Sequence, residues 1–143
     1  MEVINCIKDN YSITNDPNRL DTEAVVSLLS KTYWASNRSR ETMLKSFENS
    51  LCFSLYFKDK QIGFFRVITD YAVFAYLCDV IIDEEYRKNG LGQWAMECIL
   101  SHPDLKGLKR WCLITKDAQE FYKKIGFKEL PNPKSYMEIL NVL

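Results

Sequence analysis

The chain has 143 residues, of which 47% are hydrophobic and 27% are charged. This length predicts one domain, residues 1–143, with a core large enough to fold alone, and the composition excludes disordered and fibrous proteins. The formal net charge of +0 gives no general attraction to nucleic acids or anionic membranes, so any anion has to be recognised by local charge.

The cysteines and the single histidine predict that no metal is bound. The five cysteines stand singly, at Cys6, Cys52, Cys78, Cys98 and Cys112. Without a CxxC pair, and with His102 as the only histidine, a zinc site lacks its ligands. The odd number of cysteines and the lack of a leader-like segment predict a cytoplasmic protein, and no apolar stretch is long enough to span a membrane.

The first part of the chain predicts one strand and two helices. A strand at Val3–Ile7 is followed by a turn-rich stretch. A helix then begins with Asp21 or Thr22 as its N-cap, and a second helix over Arg40–Asn49 begins after Ser39. Both helices carry apolar residues at the spacing of a single buried face.

Three strands follow in succession. Leu51–Phe57, Ile62–Thr69 and Val73–Ile82 are rich in aromatic and β-branched residues, and only short polar segments separate them. Short connections join antiparallel neighbours, so these segments predict a meander.

The last part of the chain predicts two further helices between short strands. An amphipathic helix begins at a Gly-Leu-Gly sequence, and the strand Arg110–Thr115 follows it. Asp117 and Glu120 have the spacing of a capping box, which predicts a helix that ends at Gly126. Phe127–Leu130 and Tyr136–Leu140 are the final predicted strands.

This order of elements predicts an α+β fold with a mixed sheet. The strand–helix–strand unit Val73–Thr115 makes its two strands parallel neighbours, while the earlier strands are antiparallel. Such a sheet can splay at the parallel pair and expose backbone groups in a cleft, and ligands commonly bind at the carboxyl ends of parallel strands. An exposed last strand, Tyr136–Leu140, is a candidate for pairing between two copies in a homodimer.

The segment Arg87–Gly92 has the features of a phosphate site. Its glycines allow backbone N–H groups to turn toward one point, a helix begins there, and Arg87 and Lys88 add positive charge. A Walker loop is excluded because Gln93 follows Gly92. A dinucleotide fingerprint remains an alternative, although a charged connector separates the glycines from the preceding strand.

Three segments together resemble the GNAT superfamily of N-acetyltransferases. They are the hydrophobic strand Leu77–Ile82, the Arg-x-x-Gly-x-Gly of Arg87–Gly92, and the Ala-x-x-Phe-Tyr-x-x-x-Gly-Phe of Ala118–Phe127. The resemblance is strong over Leu77–Phe127 and extends along the whole chain in the order of its elements. It implies the GNAT fold and acetyl-CoA as co-substrate.

The resemblance also implies which residues bind the cofactor. Val80 and Ile82 would offer backbone groups to the pantetheine arm, and the amides of the glycine turn would surround the pyrophosphate. Thr115 stands where many members carry Asn, and its hydroxyl can still form a hydrogen bond. The full implied set is Val80, Ile81, Ile82, Arg87, Lys88, Asn89, Gly90, Leu91, Gly92, Gln93, Thr115, Ala118 and Phe121.

Acetyl transfer to an amine needs an acid for the departing thiolate. Tyr122 matches the family's usual proton donor, and its alternative role is that of an aromatic core residue beside Phe121. The resemblance therefore implies a catalytic Tyr122.

The proton acceptor is left open by the sequence. Family members often carry Glu or His at the positions of Tyr76 or Cys78, and neither is an obvious base here. Asp79 is the next candidate, although strand alternation directs it away from Cys78, and it could instead hold a helix or a loop. A water chain that draws on Asp79, Asp70 or Glu41 is a further alternative.

The acceptor site is expected between the first two helices. The predicted acceptor residues are aromatic or charged: Tyr33, Trp34, Arg38, Glu41, Asp70 and Tyr71. Aromatic rings can hold the body of a substrate, and Arg38 could pair with a carboxylate. The leading prediction is thus an enzyme that acetylates a small primary amine. A non-catalytic acyl-CoA-binding module and a protein or peptide N-acetyltransferase are the alternatives.

Overall fold

A computed structural model describes residues 1–141 of the chain. The strands are β1 (Asn5–Lys8), β2 (Tyr11–Thr14), β3 (Leu51–Phe57), β4 (Lys60–Thr69), β5 (Phe74–Ile82) and β6 (Arg110–Leu113). The α-helices are α1 (Thr22–Ser30), α2 (Arg40–Glu48), α3 (Leu91–Leu100) and α4 (Gln119–Ile125).

The strands form one sheet in the order in which they occur along the chain. Each neighbouring pair from β1 to β5 is antiparallel, and β5 and β6 are parallel because the crossover helix α3 connects them. The predicted α+β fold, with its mostly antiparallel sheet and one parallel pair, is confirmed.

Two helix pairs cover the two faces of the sheet. Phe64 and Phe65 are adjacent on β4 and therefore point to opposite faces, and both are fully buried. Phe65 belongs to a cluster with residues of α3 and α4, whereas Phe64 packs with residues of α1 and α2. Burial of each ring contributes roughly 1.5–3 kcal/mol, so β4 anchors both layers.

The helix ends follow the predicted capping residues in three cases. The Asp21 carboxylate accepts the Ala24 N–H at 3.1 Å and begins α1, and the Ser39 hydroxyl accepts the Thr42 N–H at 3.1 Å and begins α2. Gly126 ends α4 with φ of 118°, in the left-handed region that favours glycine. These caps are local interactions, which is why the sequence predicts them.

The start of α4 differs from the predicted capping box. The helix begins at Gln119 with Ala118 as its N-cap, and neither Asp117 nor Glu120 makes the expected capping bond. Thr115 acts instead, because its hydroxyl accepts the Ala118 N–H at 3.1 Å. The strand predicted to reach Thr115 therefore ends earlier, at Leu113, and Thr115 belongs to the turn that follows.

The amino-terminal region holds a hairpin that the sequence reasoning missed. The expected strand Val3–Ile7 lies at Asn5–Lys8 and pairs with β2, which falls in the stretch interpreted as a turn. Asp9 adopts φ of 54° and makes the tight turn between the two strands.

The two predicted final strands do not form. Phe127–Leu130 and Tyr136–Leu140 have no strand pairing, and the side chains of Met137 and Ile139 are 95% and 92% exposed. Alternating apolar residues favour a strand only where one face becomes buried. Pro131 and Pro133 also remove backbone donors between the two segments.

Candidate active site

A cleft of about 1350 Å³ opens where β5 and β6 separate. The two strands pair only from Phe74 with Arg110 to Leu77 with Leu113, and β5 continues to Ile82. Residues 78–82 of β5 therefore have no β6 partner, so one edge of the backbone is exposed to the cleft. The splayed parallel pair is the feature that creates the cavity.

A bulge in β5 lies beside this free edge. Phe64 pairs with Ile81 and Arg66 pairs with Cys78, so Asp79 and Val80 together face one residue of β4. Asp79 adopts φ of 50°, which is unusual for a residue with a side chain. The extra residue re-aims the end of β5 toward the cleft.

The bulge overturns the expected orientation of Asp79. Regular alternation would place it on the face opposite Cys78, but Asp79 binds Arg66, which lies directly across from Cys78. Asp79 and Cys78 therefore share one side of the sheet. A bulge of this kind shifts the period of the strand by one residue, and no local pattern predicted it.

Asp79 is the centre of a buried charge cluster. Its Oδ2 accepts Nη1 of Arg38 and Nε of Arg66, both at 2.8 Å, and its Oδ1 accepts Nε1 of Trp34 at 3.0 Å. Burial alone would raise the pKa of Asp79, but hydrogen bonds and charge from Arg38 and Arg66 together outweigh it and lower that pKa. An ionised carboxylate held in this way is a poor proton acceptor, so the arrangement fits the alternative in which Asp79 holds neighbouring groups.

Tyr122 lies on α4 and lines the same cleft. Its ring packs edge-on against Phe121 and Phe127, with centroid distances of 5.0 and 5.7 Å. Burial, with a smaller contribution from Tyr33, raises the pKa of the Tyr122 hydroxyl to about 12. The hydroxyl therefore keeps its proton at neutral pH and can donate it or share it in a hydrogen bond.

The glycine turn forms the other end of the cleft. Lys88 and Gly90 adopt φ of 67° and 73°, and α3 begins at Leu91 without a side-chain cap. The first amides of a helix have no partner inside it, and the helix end carries about half a positive charge. This turn is therefore ready to accept an anion.

The two glycines of the turn have different structural roles. A Cβ at Gly90 would meet nothing within 4 Å, so the space around it is open. A Cβ at Gly92 would lie 3.0 Å from Cζ of Phe121, so Gly92 allows α3 and α4 to approach closely. The first glycine shapes the backbone, and the second permits contact between helices.

The polar side chains of the turn partly serve the loop itself. Nε of Arg87 donates to the Ile82 carbonyl at 2.8 Å, and Nδ2 of Asn89 donates to the Tyr86 carbonyl at 3.3 Å. Asn89 does not line the cleft, and Gln93 lines it while also contacting Glu97 at 3.4 Å. The other expected cofactor residues that line the cleft are Val80, Ile81, Ile82, Arg87, Lys88, Gly90, Leu91, Gly92, Thr115, Ala118 and Phe121.

The expected acceptor cluster is only partly brought together. Tyr33, Trp34 and Arg38 line the cleft, and the two rings meet edge to face at 5.0 Å. Glu41 lies in the exposed first turn of α2 and does not line the cleft.

Asp70 and Tyr71 lie at the opposite end of β5, which corrects their predicted place beside Trp34. Asp70 Oδ1 accepts the N–H groups of Ala72, Val73 and Phe74 at 2.9, 2.9 and 3.1 Å. These hydrogen bonds lower the pKa of Asp70, and the bond from Val73 has the largest effect. They also fix the β4–β5 turn. Tyr71 lines a separate cavity of about 200 Å³.

Sequence reasoning missed two charged residues near the acceptor end. Arg66 is 9% exposed and lies inside an apolar strand. A buried arginine needs a carboxylate partner, and that requirement could have identified the pair with Asp79. Nζ of Lys116 lies 5.3 Å from the centroid of the Tyr33 ring, a contact that depends on tertiary structure alone.

Among residues 1–141 there is no helix with the length and apolar character needed to cross a bilayer. The same residues bring together no group of three histidine, cysteine or acidic side chains suited to a metal ion.

A mixed sheet splayed at one parallel pair, with a bulged free edge and an uncapped helix start in one cleft, is the architecture expected from the resemblance to the GNAT superfamily. The Acetyltransferase (GNAT) domain family matches residues 48–129. The chain therefore belongs to the GNAT acetyltransferase family, as its motifs predicted. Members of this family transfer an acyl group from acetyl-CoA, so the protein is an acyltransferase of this kind.

Individual relatives agree with this membership. A GNAT-family acetyltransferase candidate from Xanthomonas campestris pv. campestris, known as a crystal structure, is 36% identical over 92% of this chain and 93% of its own, with a TM-score of 0.87. A curated acetyltransferase candidate from Gibberella zeae is 28% identical over 87% of this chain and 83% of its own length. N-acetylglutamate synthase from Neisseria gonorrhoeae, solved with coenzyme A and N-acetyl-glutamate, shares the fold at 16% identity over 90% of this chain and 32% of its own, with a TM-score of 0.69.

Proposed function

We propose that the protein transfers the acetyl group of acetyl-CoA to the primary amine of a small molecule, by direct attack when both substrates are bound. One observation supports this proposal: Tyr122, the free edge of β5 and the residues Tyr33 and Trp34 all line the same cleft. A donor hydroxyl, a backbone edge and an aromatic acceptor region are then available to one reacting centre.

The residues present fit coenzyme A. A diphosphate needs several N–H donors at one point, and the uncapped start of α3, with open space at Gly90, supplies them. Lys88 adds a positive charge at the same mouth of the cleft. The unpaired backbone at residues 78–82 suits the amide groups of a pantetheine arm, as an added strand would.

The chemistry that bound acetyl-CoA supplies is an acetyl thioester, which an uncharged amine can convert to an amide with release of the free thiol. Tyr122 acts as the acid, because its hydroxyl is protonated at neutral pH and lies in the cleft. Backbone N–H groups at the end of β5 serve as the hydrogen-bond donors of the oxyanion hole.

The ammonium form of the amine loses its proton to water before attack, and the proton that leaves nitrogen as the amide forms replaces, through water, the one that Tyr122 gives to the thiolate, so Asp79 is not needed as a base. The Asp79 carboxylate is already bound by two guanidinium groups and an indole N–H. Its role is to position Trp34 and Arg38, and an amine that enters uncharged needs no side-chain base.

Release of free thiol from acetyl-CoA across a panel of small primary amines tests this function. We expect amine-dependent thiol release with an acetylated product of the added amine. Tight binding of acetyl-CoA without turnover by any amine would instead identify a non-catalytic binding module. Turnover only with proteins or long peptides would identify a macromolecular acceptor.

A further inference from the structure

The acceptor end of the cleft carries a surplus of positive charge. Arg66 and Asp79 form a buried pair, with side chains that are 11% and 1% exposed. Nη1 of Arg66 also donates to the Ser50 hydroxyl at 3.0 Å, so Arg66 is committed to structure. This pair neutralises itself and leaves Arg38 as an additional charge.

Arg38 is the most exposed of the three charged members of the cluster. It shares Asp79 Oδ2 with Arg66, yet its side chain is 24% exposed. An arginine carries five donors in a planar fork, and among residues 1–141 its hydrogen bond to Asp79 engages only Nη1. The remaining N–H donors of Arg38 are therefore available to an oxyanion that enters the cleft.

The surroundings of Arg38 add positive charge. Lys31 lines the cleft at the end of α1. Asp117 also lines the cleft, and its neighbour in sequence, Lys116, contacts the Tyr33 ring. The other acidic side chains of the cleft are in the connector after β5, next to Arg87: Asp83, Glu84 and Glu85. Arg38 and Lys31 would repel a polycationic acceptor that came near them.

On the basis of the proposed function, we infer that the acceptor amine belongs to a molecule that also carries a carboxylate, such as an amino acid or a short peptide. Its carboxylate binds the free donors of Arg38, and its body lies against the rings of Trp34 and Tyr33. Trp34 is fixed for this contact by its bond to Asp79.

Matched pairs of acceptors test this inference. Free amino acids and dipeptides are compared with their carboxamides, which keep the amine and the side chain but lose the negative charge, and spermidine serves as a polycationic amine. We expect kcat/KM to be at least about tenfold higher for the acids than for the amides. Equal or faster turnover of the amides or of spermidine would overturn the inference and leave the proposed acetyl transfer intact. Thiol release that no amine accelerates would overturn both the inference and the proposed function.

A second arm uses the protein. Arg38→Gln should raise KM for the acids by about tenfold to a hundredfold and change KM for the amides little. Arg40→Gln is the matched control, since Arg40 pairs with Glu23 on the exposed surface, and it should behave as wild type. An equal loss for acids and amides in a folded Arg38→Gln variant would assign Arg38 to structure alone and contradict its part in recognition.

Discussion

Burial acts differently on the two titratable side chains of the cleft. No cation among residues 1–141 lowers the pKa of Tyr122, so desolvation keeps its hydroxyl protonated and raises that pKa to about 12. Asp79 is more deeply enclosed but lies between two guanidinium groups, and its pKa is lowered. One residue is kept as a donor and the other as an anion, which separates their roles at the scale of single side chains.

Replacement of Tyr122 by Phe tests the donor. We expect Tyr122→Phe to lower kcat by about a hundredfold or more, the usual contribution of a general acid, with little change in KM for acetyl-CoA. Tyr136→Phe removes a hydroxyl from an exposed ring outside the cleft and should leave kcat unchanged. Thiol release and thermal unfolding are measured on both variants, and an unchanged kcat in folded Tyr122→Phe would reject Tyr122 as the acid.

The pH profile gives a second test of Tyr122. With its pKa at about 12, the hydroxyl stays protonated through neutral and moderately basic pH, so Tyr122 causes no fall in activity there. The acceptor ammonium has to lose a proton, and we expect kcat/KM to rise about tenfold per pH unit until the pKa of the amine is reached. A decline between pH 8 and pH 10 with an intact fold would contradict this assignment.

Asp79→Asn tests the buried cluster. The change leaves Arg38 and Arg66 without their carboxylate, and loss of one partner of a buried pair costs about 3–5 kcal/mol. Glu23→Gln breaks an exposed pair with Arg40, which solvent screens, and should change the free energy of unfolding far less. Urea unfolding at neutral pH measures both changes in the free energy of unfolding.

The acid dependence of that stability has a definite sign. Because the folded pKa of Asp79 lies below its usual 3.8, its contribution is complete above about pH 4 and is lost as the pH falls through the folded value. The difference in unfolding free energy between wild type and Asp79→Asn should therefore shrink at low pH. A difference that stays constant down to pH 2 would show that Asp79 is not the stabilising anion.

At the scale of elements, the cleft depends on one glycine turn and one bulge. The turn follows from sequence, because glycines before an amphipathic helix are a local signal. The bulge does not, because Asp79 is held at φ of 50° by residues from β4 and from the segment before α2. Sequence therefore predicted the glycine turn at the start of α3, and it assigned Asp79 to the wrong face because the bulge inserts one residue.

Charge at the glycine turn can be tested apart from backbone strain. Gly90→Glu should weaken acetyl-CoA binding by more than about tenfold, because a carboxylate would occupy the open space at the start of α3. Gly90→Gln has the same size and the same strained φ without the charge and should weaken binding less. Gly107→Glu carries similar strain at φ of 80° outside the cleft and should bind as wild type. Calorimetric titration measures all three, and equal affinities for Gly90→Glu and wild type would place the diphosphate elsewhere.

At the scale of the whole molecule, the elements that sequence predicted correctly are those stabilised within themselves or by their neighbours in the chain. The helices capped by Asp21 and Ser39 and the meander from β3 to β5 belong to this class. The elements that it missed depend on distant partners. β2 is buried only because it pairs with β3, and the Tyr136–Leu140 segment lacks any strand to pair with among the described residues.

The unpaired segment Tyr136–Leu140 is the basis for the homodimer, which stays a prediction. In the described part of the chain β6 pairs only with β5, so its other edge is open. Met137 and Ile139, which follow β6 in the chain, are almost fully exposed. Open edges and exposed apolar side chains favour association, and we expect a second copy to cover them. The double variant Met137→Lys, Ile139→Lys should then sediment as a monomer, whereas Val3→Lys, a similar change at another exposed site, should remain dimeric. Sedimentation of the wild type as a monomer at all concentrations would exclude the dimer, and the edge of β6 would then be open in the working enzyme.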